Sequence, residues 1–273
     1  MNTWRLLLTP AAPGAWNMAV DEAILEAVWR RTSLPTLRLY AWEPPCLSLG
    51  YAQPLSDVDL PRLQAHGWDL VRRPTGGRAI LHTDELTYSV AAPPDEERLA
   101  GTVLEAYHRL ALALLEALHR LGLPAEIQER SAALQGPNTN PVCFEVPSSS
   151  EIIIGGKKLV GSAQARRREG VLQHGSLPLT GDLTRILEVL VFPDEGARGR
   201  AAARLLGRAT TVASVLGHPL SWDQASQAFI AAFQDVLKLE LRPGALTSAE
   251  VARADELVRI KYTHPDWRGE SIR

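Results

Sequence analysis

The chain has 273 residues, of which 45% are hydrophobic and 22% charged, and its formal net charge is −2. This length predicts one large domain, or one domain with a small appendage. The charge lacks the basic surplus typical of proteins that bind nucleic acid by neutralising phosphates. Two cysteines make no disulfide framework, no run reaches a membrane helix's roughly 18 apolar residues, and the N-terminus does not resemble a signal peptide. We therefore expect a cytoplasmic protein with free thiols.

The first part of the chain alternates short apolar runs with helical patterns. Helical spacing over residues 14–31 predicts a helix with one apolar face and with Asp21 and Glu22 mostly on the opposite face. Residues 56–66 predict a second, short helix with Ser56 as its N-cap. Strands are predicted over residues 4–9, 37–42, 46–51, 68–73, 78–82 and 86–92.

The middle of the chain contains the strongest helical pattern. Leucines at spacings of three and four predict a helix over residues 97–121, and Gly122 follows as its C-terminal cap. A turn-rich loop is predicted over 135–140, and Gly155-Gly156 is a two-residue hairpin signal. Strands are predicted over residues 151–154, 157–162 and 170–179.

From Gly181 onward the pattern is helical. Ser221 and Thr247 are N-cap candidates, and Glu250 completes a capping box with Thr247. Helices are predicted over residues 183–190, 201–206, 211–216, 222–237 and 248–260. Because the regular βαβ alternation of a doubly wound sheet is missing, we expect an α+β fold with sheets covered by helices.

The segment RRPTGGR, residues 72–78, is the first candidate site, with His82 close behind it. Gly76 and Gly77 let backbone approach a ligand closely, and their amides can point at an anion. The flanking arginines add bidentate hydrogen-bond donors. For a Gly-Gly turn taken alone, a tight hairpin with solvated arginines is the commoner structure. The segment matches neither the Walker loop nor the GxGxxG pattern of dinucleotide-binding proteins.

Cys143 lies in the segment PVCFEVPS, residues 141–148, between two prolines. A nucleophilic thiol at this position needs a neighbouring cation or aligned amides to favour the thiolate. Taken alone, the commoner interpretation is a small apolar residue in a half-buried loop. Cys46, within the apolar run CLSLG, is predicted to be a core residue.

Two further segments carry candidate polar groups. Strand alternation places Lys157 and Lys158 on opposite faces, so one of them can point inward as a charge-stabilising group. An edge strand protected by charge is the simpler explanation of the pair. His174, in the segment QHGS, is by residue type more often a satisfied core or surface residue than a base. The seven histidines show no metal-ligand spacing.

In combination these motifs are specific. The segments are WNMAVDEAIL (16–25), WEPPCLSLGYAQ (42–53), VRRPTGGRAILH (71–82) with ELTYSV (85–90), and GKKLVGSAQARRREGVLQHGSL (156–177). Over about residues 4–190 the chain resembles the catalytic domain shared by lipoate-protein ligases, octanoyltransferases and biotin-protein ligases. The segments PVCFEVPSSSEI (141–152) and RIKYTHPDW (259–267) resemble the cysteine-dependent octanoyltransferases.

The resemblance implies a class II synthetase-like α+β fold: a single catalytic domain, residues 1–273, with its core at 4–190 and a helical C-terminal extension at 191–273. It implies octanoyl-acyl carrier protein as donor and a lipoyl domain, such as the H protein of glycine cleavage, as acceptor. We expect a monomer that needs no cofactor, metal, nucleic acid or membrane.

The resemblance also implies which residues act. Cys143 is the acyl-accepting nucleophile, and Lys158 favours its thiolate and holds the acyl carbonyl. The expected substrate-binding residues are Arg73, Thr75, Gly76, Gly77, His82, Gly161, Ser162, Ala163, His174 and Gly175. Among them, His82 and the Gly76-Gly77 turn are expected to line the acyl or pantetheine path.

Three other functions stay open on the sequence. An ATP-dependent lipoate-protein ligase would activate free lipoate as an adenylate, and Lys158 would then meet its phosphate. Arg78 stands where the ligase pattern usually has a third small residue after the Gly-Gly turn. An amidotransferase between lipoyl domains would also use a cysteine, placed differently, and an acyl-binding module would form no thioester. The GRGRxxR-type loop of biotin ligases is absent from the sequence.

Overall fold

Two β-sheets organise the part of the chain that the computed structural model describes, residues 2–129 and 150–268. The large sheet has eight strands in the order β11-β1-β2-β6-β10-β9-β8-β7, and the small sheet has the order β4-β3-β5. The strands are β1 (Thr3–Leu8), β2 (Thr36–Tyr40), β3 (Cys46–Leu49), β4 (Asp69–Arg72), β5 (Ile80–His82), β6 (Glu85–Ala92), β7 (Glu126–Glu129), β8 (Ser150–Ile154), β9 (Lys157–Arg167), β10 (Gly170–Pro178) and β11 (Glu240–Pro243).

The pairing within the large sheet is mixed. β1 runs parallel to β2 and β11, whereas β2, β6, β10, β9, β8 and β7 pair antiparallel to one another in that order. The longest antiparallel register, from Glu85↔Pro178 to Ala92↔Val171, joins β6 to β10 at the centre. This mixed sheet with helices on both faces confirms the predicted α+β class.

Helices pack on both faces of the large sheet and around the small sheet. They are α1 (Gly14–Trp29), α2 (Leu60–Ala65), α3 (Val103–Arg120), α4 (Glu195–Arg208), α5 (Val212–Leu216), α6 (Trp222–Leu237), α7 (Ser248–Leu257) and α8 (Pro265–Arg268), with a π-helical turn at Val258–Tyr262 after α7. On one face, α3 and α6 pack around Tyr88, Phe229 and Phe233. On the other, α1 packs against the sheet and against α7, around Met18 and Tyr262. No helix of the described residues is both long and apolar enough to span a bilayer.

Several local predictions are confirmed. Gly155-Gly156 forms the turn between β8 and β9, with positive φ at both glycines as a two-residue hairpin requires. The helix predicted over 222–237 has those bounds, and its Ser221 cap forms a capping box with Gln224. Thr247 caps α7 through Glu250, as the sequence predicts.

Other local predictions were wrong. Asp59, rather than Ser56, caps the short helix α2, with Pro61 in its first turn. The long helix α3 begins at Val103 instead of residue 97. Gly101, at φ 86°, has a non-helical backbone conformation, and Thr102 then caps the helix. The predicted loop at 135–140 lies outside the described residues.

Asp21 is the most consequential correction. The sequence predicts Asp21 on the face of α1 opposite the apolar face, but its side chain is fully buried. The reason is that α1 is covered on two sides, by the large sheet and by α7 with the π-helical turn that follows it. Residues after 190 also contribute β11, which the sequence did not predict and which pairs with β1 at the sheet edge.

A buried ion pair joins the start of the chain to its end. Arg5 on β1 donates two hydrogen bonds to the Glu250 carboxylate, at 2.8 and 2.6 Å, and Glu250 is only 2% exposed. The same carboxylate accepts hydrogen bonds from Thr247 and Ser33. The pair therefore links β1, the cap of α7 and the loop after α1.

Replacing Glu250 with alanine should lower the free energy of unfolding by about 3 kcal/mol, because the Arg5 guanidinium stays buried without its carboxylate. Chemical denaturation monitored by circular dichroism measures this. Glu240→Ala is the matched control, because it removes a carboxylate from the exposed Arg242–Glu240 pair and should change stability little. Equal effects of the two substitutions would contradict this role of the buried pair.

Candidate functional site

A pocket lies where β9 and β10 of the large sheet meet the small sheet and α1. The empty space within it, including space open to solvent, is about 340 Å³. Seven of the predicted substrate-binding residues line it: Arg73, His82, Gly161, Ser162, Ala163, His174 and Gly175. Met18, Tyr40, Trp42 and Ile80 contribute its apolar surface. The pocket therefore combines apolar walls with a few buried polar groups.

His82 forms one wall and is held from both sides. Its Nδ1 lies 2.6 Å from Glu85 Oε1, and its Nε2 lies 2.7 Å from Ser48 Oγ. Arg73 also donates to Ser48 Oγ at 3.0 Å. Because a carboxylate only accepts hydrogen bonds, His82 Nδ1 is the donor to Glu85. Since both ring nitrogens are bonded within the protein, His82 offers the pocket its ring rather than a free nitrogen.

Glu85 fixes this wall further. Its carboxylate also accepts hydrogen bonds from Ser176, at 2.9 Å, and from Thr87. The Trp42 indole donates to Thr87 Oγ1 at 2.8 Å and stacks on the His82 ring, with 4.0 Å between centroids. These contacts orient the flat faces of Trp42 and His82 along the pocket.

His174 belongs to a second buried network. Its Nε2 lies 2.6 Å from Thr75 Oγ1, and its Nδ1 lies 3.7 Å from Asp21 Oδ2. Burial lowers the pKa of His174, and the Asp21 carboxylate only partly opposes this. Although Thr75 does not line the pocket, it is thereby tied to a residue that does.

Asp21 is the anion of this network. It accepts hydrogen bonds from Arg38 at 2.8 Å, from Tyr40 at 3.0 Å and from Ser89 at 2.8 Å. Burial raises the pKa of Asp21, but the Arg38 guanidinium and His174 outweigh it, so the net pKa is lowered. We infer an ionised Asp21 beside a neutral His174 at pH 7.

The Gly76-Gly77 turn lies next to the pocket and is exposed. Arg73 crosses beneath it and donates to the carbonyl oxygens of Gly76, at 2.9 Å, and Arg78, at 2.7 Å. Gly77 has a φ of 91°, which favours glycine. A side chain at Gly50 would meet Gly77 O at 1.9 Å, so the loop after β3 packs directly on this turn.

Lys158 points into the protein, as predicted for one of the two adjacent lysines. It is 5% exposed, and its Nζ lies 3.2 Å from Glu151 Oε1, whereas Lys157 is partly exposed. The opposite charge of Glu151 favours the ammonium form of Lys158. Lys158 is not among the pocket-lining residues but precedes Gly161 by three positions on β9.

Cys143 lies outside the described residues, so its contact with Lys158 stays a prediction. The described ends that flank residues 130–149 are Glu129 and Ser150, which pair directly at the ends of β7 and β8. Cys46 is fully buried on β3, which confirms its prediction as a core residue. Among the described residues, no cluster of histidine, cysteine, aspartate or glutamate could hold a metal ion.

Sequence reasoning missed the carboxylates of this site: Asp21, Glu85 and Glu151. Glu85 follows His82 by three residues, a spacing that could have drawn attention to it. The hairpin register could have indicated that Glu151 lies near Lys158. Ile153 pairs with Lys158, and strand alternation puts residues 151 and 153 on one face. Asp21 carries no such signal, because its burial depends on what packs against α1.

The lowered pKa of His174 predicts a loss of stability in mild acid. Below about pH 6.5, the ordinary histidine pKa, His174 binds a proton in the unfolded chain but stays neutral in the folded chain. The free energy of unfolding should therefore fall as the pH decreases from 7.5 to 5.5, by up to about 1.4 kcal/mol per pH unit for this group. Denaturant titrations at several pH values measure the slope.

His174→Gln, which can still bond Thr75, should reduce this slope, and His218→Gln, at an exposed position, should leave it unchanged. The lowered pKa of Asp21 affects the free energy of unfolding only at more acidic pH, near and below the ordinary aspartate value of 3.8. Equal slopes for the parent and His174→Gln would contradict the assignment of a neutral, buried imidazole.

Comparison with known proteins identifies the family of this chain. Residues 13–234 match the lipoyl protein ligase A/B catalytic domain. The octanoyltransferase LipM of Moorella thermoacetica is 44% identical over 266 residues, and that of Symbiobacterium thermophilum is 43% identical over 268 residues. Each alignment covers 97% of this chain and 97% of the relative.

Solved structures agree with these matches. The bi-partite lipoate protein ligase of Thermoplasma acidophilum, from a study of an archaeal lipoylation system, has a TM-score of 0.79 at 28% identity, over 100% of this chain and 98% of that chain. A putative lipoate protein ligase of T. acidophilum with bound lipoic acid has a TM-score of 0.78 at 26% identity, covering 99% and 100%. The predicted class II synthetase-like fold is confirmed, and the chain belongs to the lipoyl protein ligase A/B catalytic domain family.

Proposed function

We propose that this protein is an octanoyltransferase of lipoate biosynthesis. It moves octanoyl from acyl carrier protein, through a thioester on Cys143, to the lysine of a lipoyl domain such as the H protein of glycine cleavage. The observation that carries this proposal is the identity of 43–44%, over almost the whole length of both chains, with octanoyltransferases LipM.

The chemistry requires no ATP, because the carrier thioester is already activated. The Cys143 thiolate attacks the thioester carbonyl carbon, a new C–S bond forms, and the carrier's thiolate leaves and takes up a proton. The neutral ε-amine of the acceptor lysine then attacks the acyl-enzyme. An amide forms, the amine loses a proton, and Cys143 is released. Two steps allow the two protein substrates to dock in turn.

The residues that line the pocket support an acyl group as its ligand. Met18, Tyr40, Trp42 and Ile80 supply apolar surface for a hydrocarbon chain. Because His82 has both ring nitrogens bonded within the protein, it presents a flat ring and no unpaired polar atom to that chain.

Lys158 is the proposed cation of the reaction centre. Its ammonium is held inside the protein by Glu151, where a positive charge acts more strongly than in water. In the proposed mechanism it stabilises the Cys143 thiolate and the negative oxygen of the tetrahedral intermediate.

A second candidate is an ATP-dependent lipoate-protein ligase. The fold similarity at 26–28% identity to lipoate-protein ligases, one of them with bound lipoic acid, favours keeping it as the alternative. In that reaction Lys158 would meet the adenylate phosphate instead of a thiolate.

Covalent trapping tests the first step. With octanoyl-acyl carrier protein and no ATP, the parent should gain one octanoyl group that hydroxylamine removes, detected by intact-protein mass spectrometry. Cys143→Ala should gain none, whereas the matched control Cys46→Ala, which removes the buried core thiol, should still be acylated. Acylation of Cys143→Ala, or none of the parent, would refute the thioester on Cys143.

The adjacent lysines test the role of charge. Lys158→Ala should slow acylation by about 100-fold, the size of effect seen when one stabilising donor is removed from a reaction centre. Lys157→Ala is the matched control and should stay within about threefold of the parent, because Lys157 points away from the buried face. Rapid-quench kinetics of acyl-enzyme formation measure both rates. The reverse pattern would assign the role to Lys157.

A further inference from the structure

The C-terminal end of the described chain lies against the segment that leads into the Gly76-Gly77 turn. Arg72 and Trp267 are 195 residues apart in sequence, yet each donates a hydrogen bond to the other's carbonyl oxygen. Arg72 Nε donates to Trp267 O at 2.9 Å, and Trp267 Nε1 donates to Arg72 O at 2.9 Å. We call residues 258–267 the C-terminal clasp.

Arg72 also bonds the loop after β3. Its Nη1 donates to the carbonyl oxygens of Gly50, Tyr51 and Gln53, at 2.9, 3.1 and 2.6 Å. The Tyr51 ring also lies 5.7 Å from the Trp267 ring, centroid to centroid. One buried guanidinium thus joins the clasp to three residues of the same loop.

The loop in turn contacts the glycine turn at two points. The Tyr51 amide donates to Thr75 O at 2.9 Å. Gly50 packs so closely on Gly77 O that there is no room for a side chain. A displacement of the loop would therefore move Thr75 and Gly77, and Thr75 is bonded to the pocket residue His174.

The clasp is itself anchored to α1. Lys261 Nζ donates to both oxygens of Glu22, at 2.8 and 2.6 Å, and lies 4.1 Å from the centre of the Trp267 ring. Tyr262 donates a hydrogen bond to the same carboxylate. Glu22 adjoins Asp21, which faces His174 from the other side of the helix. The clasp is therefore bonded to α1, the helix that carries Asp21 of the buried network beside the pocket.

We infer that Trp267 is a positioning residue: through Arg72 and the loop after β3 it fixes the Thr75–Gly77 turn beside the acyl pocket. This positioning role is a detail of the proposed function. Only the test by acylation rests on that function; the test by hydrogen exchange does not.

Amide hydrogen exchange tests the positioning directly. Trp267→Phe keeps an aromatic ring for Lys261 but removes the hydrogen bond to Arg72 O. The Tyr51 amide, which bonds Thr75 O, should exchange about two- to tenfold faster, the factor expected for the loss of one hydrogen bond. Trp29→Phe, at a partly exposed tryptophan on α1, is the matched control and should leave this amide unchanged.

Acylation by octanoyl-acyl carrier protein is the second readout. Trp267→Phe should lower the acylation rate by about the same factor while the melting temperature and the exchange of central β6 and β10 amides stay as in the parent. Unchanged Tyr51 exchange in both Trp267→Phe and Trp267→Ala, or equally faster exchange throughout the chain, would overturn the inference. If the parent is not acylated, the proposed function fails, and the exchange result still decides the positioning role.

Discussion

Buried carboxylates, each of which needs a polar partner, determine the structure around the pocket. Three carboxylates lie inside the fold near the pocket, and each faces a cation or an imidazole: Asp21 faces Arg38 and His174, Glu85 faces His82, and Glu151 faces Lys158. An unpaired charge at these depths would cost several kcal/mol. The pairs therefore fix the strands and helix that carry them, and the pocket obtains rigid polar walls as a consequence.

The architecture was predictable where local signals decide it. Gly155-Gly156 set the β8–β9 hairpin, and serine and threonine caps set the start of α6 and α7. β11 was not predictable, because Glu240–Pro243 includes charged residues and a proline and becomes a strand only by pairing with β1. The burial of Asp21 likewise depends on α1 packing against the large sheet, where Arg38, Ser89 and His174 contact its carboxylate.

The site was predictable to the extent that its motifs are contiguous. Arg73 of the RRPTGGR segment, the GSA run of β9 and the HGS run of β10 line the pocket. Apart from Glu85, which follows His82 by three residues, their partners come from other strands and from α1, where no spacing within one motif indicates them. His82 shows the difference: its presence at the pocket was predicted, but its bonds to Glu85 and Ser48 make it a wall of the pocket rather than a residue with a free nitrogen.

In the proposed reaction, the acyl group reaches the lipoyl domain from a carrier thioester and not from a free acid. A competition measures this directly: parent chain, lipoyl domain, unlabelled octanoyl-acyl carrier protein, deuterated octanoate and ATP are mixed, and the mass of the lipoyl domain is measured by mass spectrometry. We expect unlabelled octanoyl on the acceptor lysine. Deuterated octanoyl would contradict the proposed reaction and identify an ATP-dependent ligase.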